Sequence, residues 1–210
     1  MSRFLDAANL ISLAGLCYSL AAALLATEGM LQWAMPALIA AGLCTLLDGV
    51  IARGLSRTDE ERRFGARLNS LVNVCSFGIV PTFFLHASGM KSPLELMLIA
   101  IFAASAVWRL AYFDAVGLRT DQAVGKSKYV GLPVSYIALI FPTTFLAGFA
   151  GPTALRFSAC CTAIFVSAAM LSRVPIPKPG RRSYGLLLLI TLLLTTIYAF
   201  GASQFTIQAR

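Results

Sequence analysis

Seven stretches of almost unbroken apolar residues divide the chain, running roughly Asn9–Met30, Trp33–Arg53, Leu68–Ser88, Pro93–Phe113, Leu132–Phe149, Thr153–Leu171 and Tyr184–Ser203. Each is close to the ~20 residues a helix needs to cross a bilayer. Hydrocarbon offers backbone N–H and C=O groups no partner but one another, so such runs predict spanning helices. A membrane barrel would instead alternate apolar and polar positions in short segments, which this pattern does not do. The fold class expected is therefore all-α, a polytopic transmembrane helical bundle. The first run is too long for the apolar core of a cleavable signal, and its flank holds only Arg3 and Asp6, so it is read as a retained helix.

Composition agrees. Of 210 residues, 58% are apolar and only 12% charged, and mean hydropathy is +0.79. A soluble domain carries about twice that share of charge. Cys17, Cys44, Cys75, Cys160 and Cys161 all fall within apolar runs without a CxxC pair, and read as small hydrophobes. The single histidine, His86, falls near the end of the third run and reads as an interfacial residue.

The net charge of +8 would suit nucleic acid, but its distribution does not. With the N-terminus inside, fourteen of the seventeen basic residues fall on inner segments, from Arg3 and Arg53 through Arg119 to Arg182. Lys91 and Arg156 occupy outer turns, and Arg210 ends the chain. This is the positive-inside pattern; it predicts contact with anionic membrane lipids and no nucleic-acid partner. The inner side is expected to be cytoplasmic, as in a bacterial inner membrane.

Polar residues inside spanning helices are costly and need a partner or a role. Three inner helix ends carry them. The second run closes Thr45-Leu-Leu-Asp48-Gly49-Val-Ile-Ala52-Arg53, and the third opens Gly65-Ala-Arg67-Leu-Asn69-Ser70-Leu-Val-Asn73. The fourth closes Arg109-Leu-Ala-Tyr112-Phe113-Asp114. Thr45 and Asp48 are three apart and Asn69 and Asn73 four apart, so each pair shares a helix face. Turned toward each other, these faces would form one polar pocket. Gly49 and Gly65 would admit close helix approach or a ligand, and Arg53 is placed for a phosphate. The alternative on spacing alone is a helix pair joined by hydrogen bonds, with Arg53 reaching to the interface. The Asp59-Glu60-Glu61-Arg62-Arg63 run between them reads as a solvated, self-paired loop. The segment Arg173–Arg182 reads as a hinge, because its three prolines oppose helix.

These residues resemble the signature of the CDP-alcohol phosphatidyltransferase family. That signature runs Asp-x-x-Asp-Gly-x-x-Ala-Arg, eight further residues, then Gly-x-x-x-Asp-x-x-x-Asp. Phe64-Gly65-Ala66, Leu68-Asn69-Ser70-Leu71, Ser76-Phe77-Gly78-Ile79-Val80-Pro81, Arg109-Leu110-Ala111 and Gly131-Leu132-Pro133 look like the phosphatidylserine synthase branch, as does Ala8-Asn9-Leu10. The likeness covers roughly residues 8–175. It implies a six-helix core in residues 1–175, followed over 176–210 by a hinge and an added seventh helix, a candidate for packing in a homodimer. It also implies a CDP-lipid such as CDP-diacylglycerol at the inner surface, two divalent cations (Mg or Mn) among four aspartates, and release of CMP when an acceptor hydroxyl attacks.

The departures bear on chemistry. Of the four aspartate positions only Asp48 is kept; Thr45, Asn69 and Asn73 fill the others, and the intervening loop is three residues longer. A metal set of Asp48, Thr45, Asn69 and Asn73 has one formal charge to offset two divalent ions. Asn73 stands in the catalytic base position yet has no basic lone pair. Asp48 remains as a catalytic and phosphate-side residue, and Asp114 is a candidate relocated base. The nucleotide-side residues implied are Asp48, Gly49, Ala52, Arg53, Gly65 and Asn69. Arg109, Lys126 and Lys128 are candidates for the acceptor's anionic group, with membrane anchoring as the alternative. Two readings stay open: a transferase with altered metal use, and a non-catalytic homologue that binds CDP-lipid or partners an active membrane protein.

Overall fold

The structure is a computed structural model that describes residues 4–116, 119–121, 126–177 and 181–201. Among these, every predicted span is helical. α1 (Ala7–Thr27) and α2 (Leu31–Ala52) form the most closely packed pair. Small residues make this possible: a Cβ on Gly15 would lie 3.0 Å from the Cys44 Cβ.

α3 (Asp59–Asn73) passes through a π-helical turn, Val74–Ile79, into α4 (Val80–Ala87). Pro81, at the start of α4, cannot donate to the preceding turn, and the wider π turn accommodates it. α3 begins well before the apolar run. Thr58 accepts from the Glu61 N–H while the Glu61 side chain accepts from the Thr58 N–H. That reciprocal cap corrects the expected solvated loop: Asp59–Arg63 is the first turn of a helix, with three acidic residues at its positive end.

α5 (Pro93–Val116) and α7 (Pro152–Leu171) pack side by side and are tied at the end away from the motif, where Arg156 donates to both Glu95 oxygens at 2.7 and 2.9 Å. α6 (Ile137–Phe145) is short and flanked by 3-10 turns at Val134–Tyr136 and Leu146–Ala150. Phe84, Phe102, Phe141 and Phe145 cluster in the core with ring centroids 5.4–6.4 Å apart.

β1 (Arg119–Asp121), β2 (Lys126–Val130) and β3 (Pro175–Pro177) form a small antiparallel sheet in the order β1-β2-β3. Part of the expected hinge is therefore a strand, with its prolines on a sheet edge where a missing N–H is tolerated. Gly131, at φ +82°, follows β2; a Cβ there would meet the Ser172 carbonyl at 2.6 Å, so glycine is required.

α8 (Arg181–Phe200) packs on α2 and α6. Its Tyr198 hydroxyl, buried, donates to the Pro142 carbonyl at 2.7 Å. Outward surfaces are apolar: Leu24, Phe157, Phe165 and Leu192 are each about two-thirds exposed or more (66–72%). Among the described residues five helices are long and apolar enough to cross a membrane, and Val134–Ala150 and Gly185–Phe200 are shorter apolar helices. The protein is an integral membrane helical bundle.

Candidate functional site

A cavity of about 330 Å³ opens among α2, α3, α5, the Pro133–Leu139 segment and α8, at the end of the bundle where α2 finishes and α3 begins. Its polar lining is Thr45, Arg53, Asn69, Asn73, Arg109, Ser135, Tyr136 and Thr191. Helical spacing brings Asn69 and Asn73 together as expected, and the Asn73 Nδ2 donates to the Asn69 Oδ1 at 3.1 Å. The Asn73 Oδ1 is enclosed and has no donor among the described residues. Thr45 donates to the Ala41 carbonyl one turn back, at 3.3 Å.

Arg53 caps α2 and lines the cavity, and its guanidinium makes no hydrogen bond or ion pair among the described residues, so its charge is available to a ligand. Gly49 also lines the space, and a Cβ there would meet nothing within 4 Å. Its use is open room beside Arg53, not close helix contact. The close contact is about two turns earlier, at Gly42, where a Cβ would fall 2.4 Å from the Ala138 Cβ. Arg109 is 4% exposed, stacks over Phe113, and donates to the Leu132 and Gly131 carbonyls at 3.1 and 3.3 Å. It therefore anchors the start of the α6 segment while forming part of the wall.

The carboxylates stand elsewhere. Asp48 is 4% exposed and does not line the cavity; its Oδ2 accepts from the Ser12 hydroxyl of α1 at 2.5 Å. Positions three apart differ by about 60° around a helix, enough to place Thr45 on the cavity and Asp48 against α1. Asp114 is exposed and accepts from Ser70 at 2.9 Å, outside the lining. Ala52 and Gly65 are likewise outside it. Lys126 and Lys128 fall in β2, and their side chains lie outside the described residues.

Sequence reading passed over a second polar cluster beside the site. Arg57, in the loop before α3, pairs with Asp6 and donates to the Asn9 Oδ1 at 3.3 Å. Gly65 makes room for it: a Cβ would lie 2.9 Å from the Arg57 Nη1 and 3.0 Å from the Asn9 Oδ1. Burial by itself would raise the Asp6 carboxyl, but the hydrogen bonds from Arg57 and the Asn9 N–H outweigh it and hold the group below the usual range. No sequence signal could pair positions 51 residues apart.

Residues 5–171 match the family model described as CDP-alcohol phosphatidyltransferase. The chain belongs to that family. Its relatives place it in the phosphatidylserine synthase-like branch of the CDP-alcohol phosphatidyltransferases. It is 33% identical over 132 residues to a CDP-diacylglycerol–serine O-phosphatidyltransferase of Mycobacterium tuberculosis, covering 60% of this chain and 45% of the relative. It is 25% identical over 179 residues to an archaetidylserine synthase of Methanothermobacter thermautotrophicus, covering 85% of this chain and 72% of that one. A yeast CDP-diacylglycerol–serine O-phosphatidyltransferase is 35% identical over 97 residues, 44% of this chain and 34% of its own. The chain thus spans less than half the length of the mycobacterial relative. α8 lies beyond the family match, yet its Leu187 and Thr191 line the cavity.

Family membership implies a CDP-lipid substrate and divalent metal, and the donor set can be tested against the metal. Among the described residues no three His, Cys, Asp or Glu side chains group as a metal site. Among the described residues no carboxylate lines the cavity, Asn69 Oδ1 is already an acceptor, and two arginines share the wall. Two divalent ions about 4 Å apart repel by on the order of 16 kcal/mol at an effective dielectric near 20, which neutral oxygens do not offset. The side chains present do not fit a two-metal centre.

Proposed function

We propose that this CDP-alcohol phosphatidyltransferase homologue binds a CDP-linked lipid such as CDP-diacylglycerol in the cavity between α2, α3, α5 and α8. The observation that carries the reading is the convergence there of Arg53, Gly49, Thr45, Asn69 and Asn73 from the two helices of the motif, with no carboxylate in the wall among the described residues. Arg53 supplies charge and directed donors for phosphate, and Gly49 leaves room for it. A volume near 330 Å³ suits a head group more than two acyl chains, which would extend into surrounding lipid. The metal-binding aspartates of the family are replaced here by Thr45, Asn69 and Asn73, and the site is degenerate for the usual transfer.

Calorimetric titration of the detergent-solubilised protein with CDP-diacylglycerol tests the reading. Saturable binding that falls at least ~10-fold in Arg53→Ala is expected, since a charge-assisted pair is the main polar anchor. Absence of binding would refute it.

A second reading, favoured by the activities for which the relatives are named, is a transferase with altered chemistry, acting on a small hydroxyl acceptor. In that case lipid product would form from CDP-diacylglycerol and L-serine and would depend on Asp48 and Asp114, with Arg109, Lys126 and Lys128 receiving the acceptor's anion. The site end of the bundle is assigned to the cytoplasmic side of a bacterial inner membrane, on the basis of its basic residues. Leu188, Leu189, Leu192 and Leu193 of α8 are more than half exposed and offer the face a homodimer would use. Native mass spectrometry reporting only monomer in mild detergent would count against that dimer.

A further inference from the structure

We infer that the cavity holds the phosphate groups of its ligand directly on arginine, with no divalent cation between protein and ligand; this rests on the CDP-lipid reading above. The argument is one of charge and of free oxygens. A metal-bridged diphosphate needs anionic oxygens on the protein side to balance the ion. Among the described residues the wall contains none. Asp48, the one carboxylate of the motif, is enclosed against α1 and already accepts from Ser12. The oxygens that do line the space are neutral and poorly placed for a cation. Asn69 Oδ1 is occupied by the Asn73 amide, and Asn73 Oδ1 is enclosed. Thr45 offers one neutral hydroxyl oxygen, which brings no charge to balance an ion.

Cationic charge, by contrast, is already built in. Arg53 lines the space at the mouth and Arg109 forms part of the inner wall. An added divalent ion would sit beside two guanidinium groups with no compensating anion from the protein. An anionic ligand has the opposite balance, and it would neutralise a wall that is otherwise left positive. The open space over Gly49, next to Arg53, is where a phosphate can approach without displacing a side chain. A recognition step that in the family runs through metal is replaced in this chain by side-chain donors.

The test is calorimetric titration of the full-length protein with CDP and with CDP-diacylglycerol in three buffers, containing MgCl2, MnCl2 or EDTA. Affinities agreeing within ~2-fold across the three, and falling at least ~10-fold in Arg53→Gln, are the expected result for direct charge-assisted binding. Restoring carboxylates in T45D/N69D/N73D should make binding sensitive to EDTA; Asn69→Asp alone serves if the triple variant does not stay folded in size-exclusion chromatography. Binding present with Mg²⁺ or Mn²⁺ and lost in EDTA would overturn the inference and leave the CDP-lipid reading standing. Metal-independent binding that ignores Arg53→Gln would overturn the role of arginine. No binding in any buffer would remove the reading and the inference together.

Discussion

The residues around the site divide into those that line it and those that hold its walls. Ser12 belongs to the second group: it is the hydroxyl that satisfies a carboxylate with 4% exposure. Ser12→Ala should cost about 1.5–3 kcal/mol, because the buried charge is left short of a donor. A fall in thermal stability of the purified protein, with Asp48→Asn removing most of that difference, would verify it. Asp6 makes a pH-dependent contribution. Its folded pKa lies below its unfolded value, so the stabilisation is complete above about pH 4 to 5 and is lost as pH falls through the folded pKa. Thermal melts of the protein and of Asp6→Asn should differ at pH 6 and converge as the medium is acidified; an unchanging gap would contradict this account. Helical spacing was enough to pair Asn69 with Asn73. It was not enough to separate Thr45 from Asp48, since a 60° difference has meaning only once α1 is known to lie on one side.

At the scale of the element, two glycines of α2 make a contrast. A Cβ on Gly42 meets Ala138 at 2.4 Å, whereas one on Gly49 meets nothing within 4 Å. Gly42→Ala should therefore destabilise the α2–α6 contact by about 1–3 kcal/mol. Gly49→Leu should leave stability within about 0.5 kcal/mol, as expected for a site with open space, while weakening CDP-diacylglycerol binding. Parallel melts and titrations of the two variants would separate the roles. The start of α3 was legible in principle, since Thr58 followed by Glu61 is a capping box. The charges of Asp59–Arg63 argued for loop only because their helix lies ahead of the membrane span. The strand at Pro175–Pro177 had no such signal; its pairing with β2 joins segments more than forty residues apart.

For the molecule as a whole, α8 matters most, because it stands beyond the family match and still closes the cavity. From the sequence it read only as an added helix, a candidate for packing in a homodimer. Leu187→Trp should reduce binding of CDP-diacylglycerol by filling the space from α8, with little change in melting temperature. Tyr198→Phe should do the reverse, costing about 1 kcal/mol by leaving the Pro142 carbonyl without its donor. The sequence by itself determined the run of apolar helices and the meeting of α2 and α3 at one end of the bundle. It could do so because a bilayer admits few backbone solutions, and because period 3.6 is local. Only tertiary structure decided that Asp48 faces α1 and not the cavity, that Arg57 answers Asp6, and that α8 completes the wall. Those outcomes depend on which neighbour a helix face meets, and no local period encodes that.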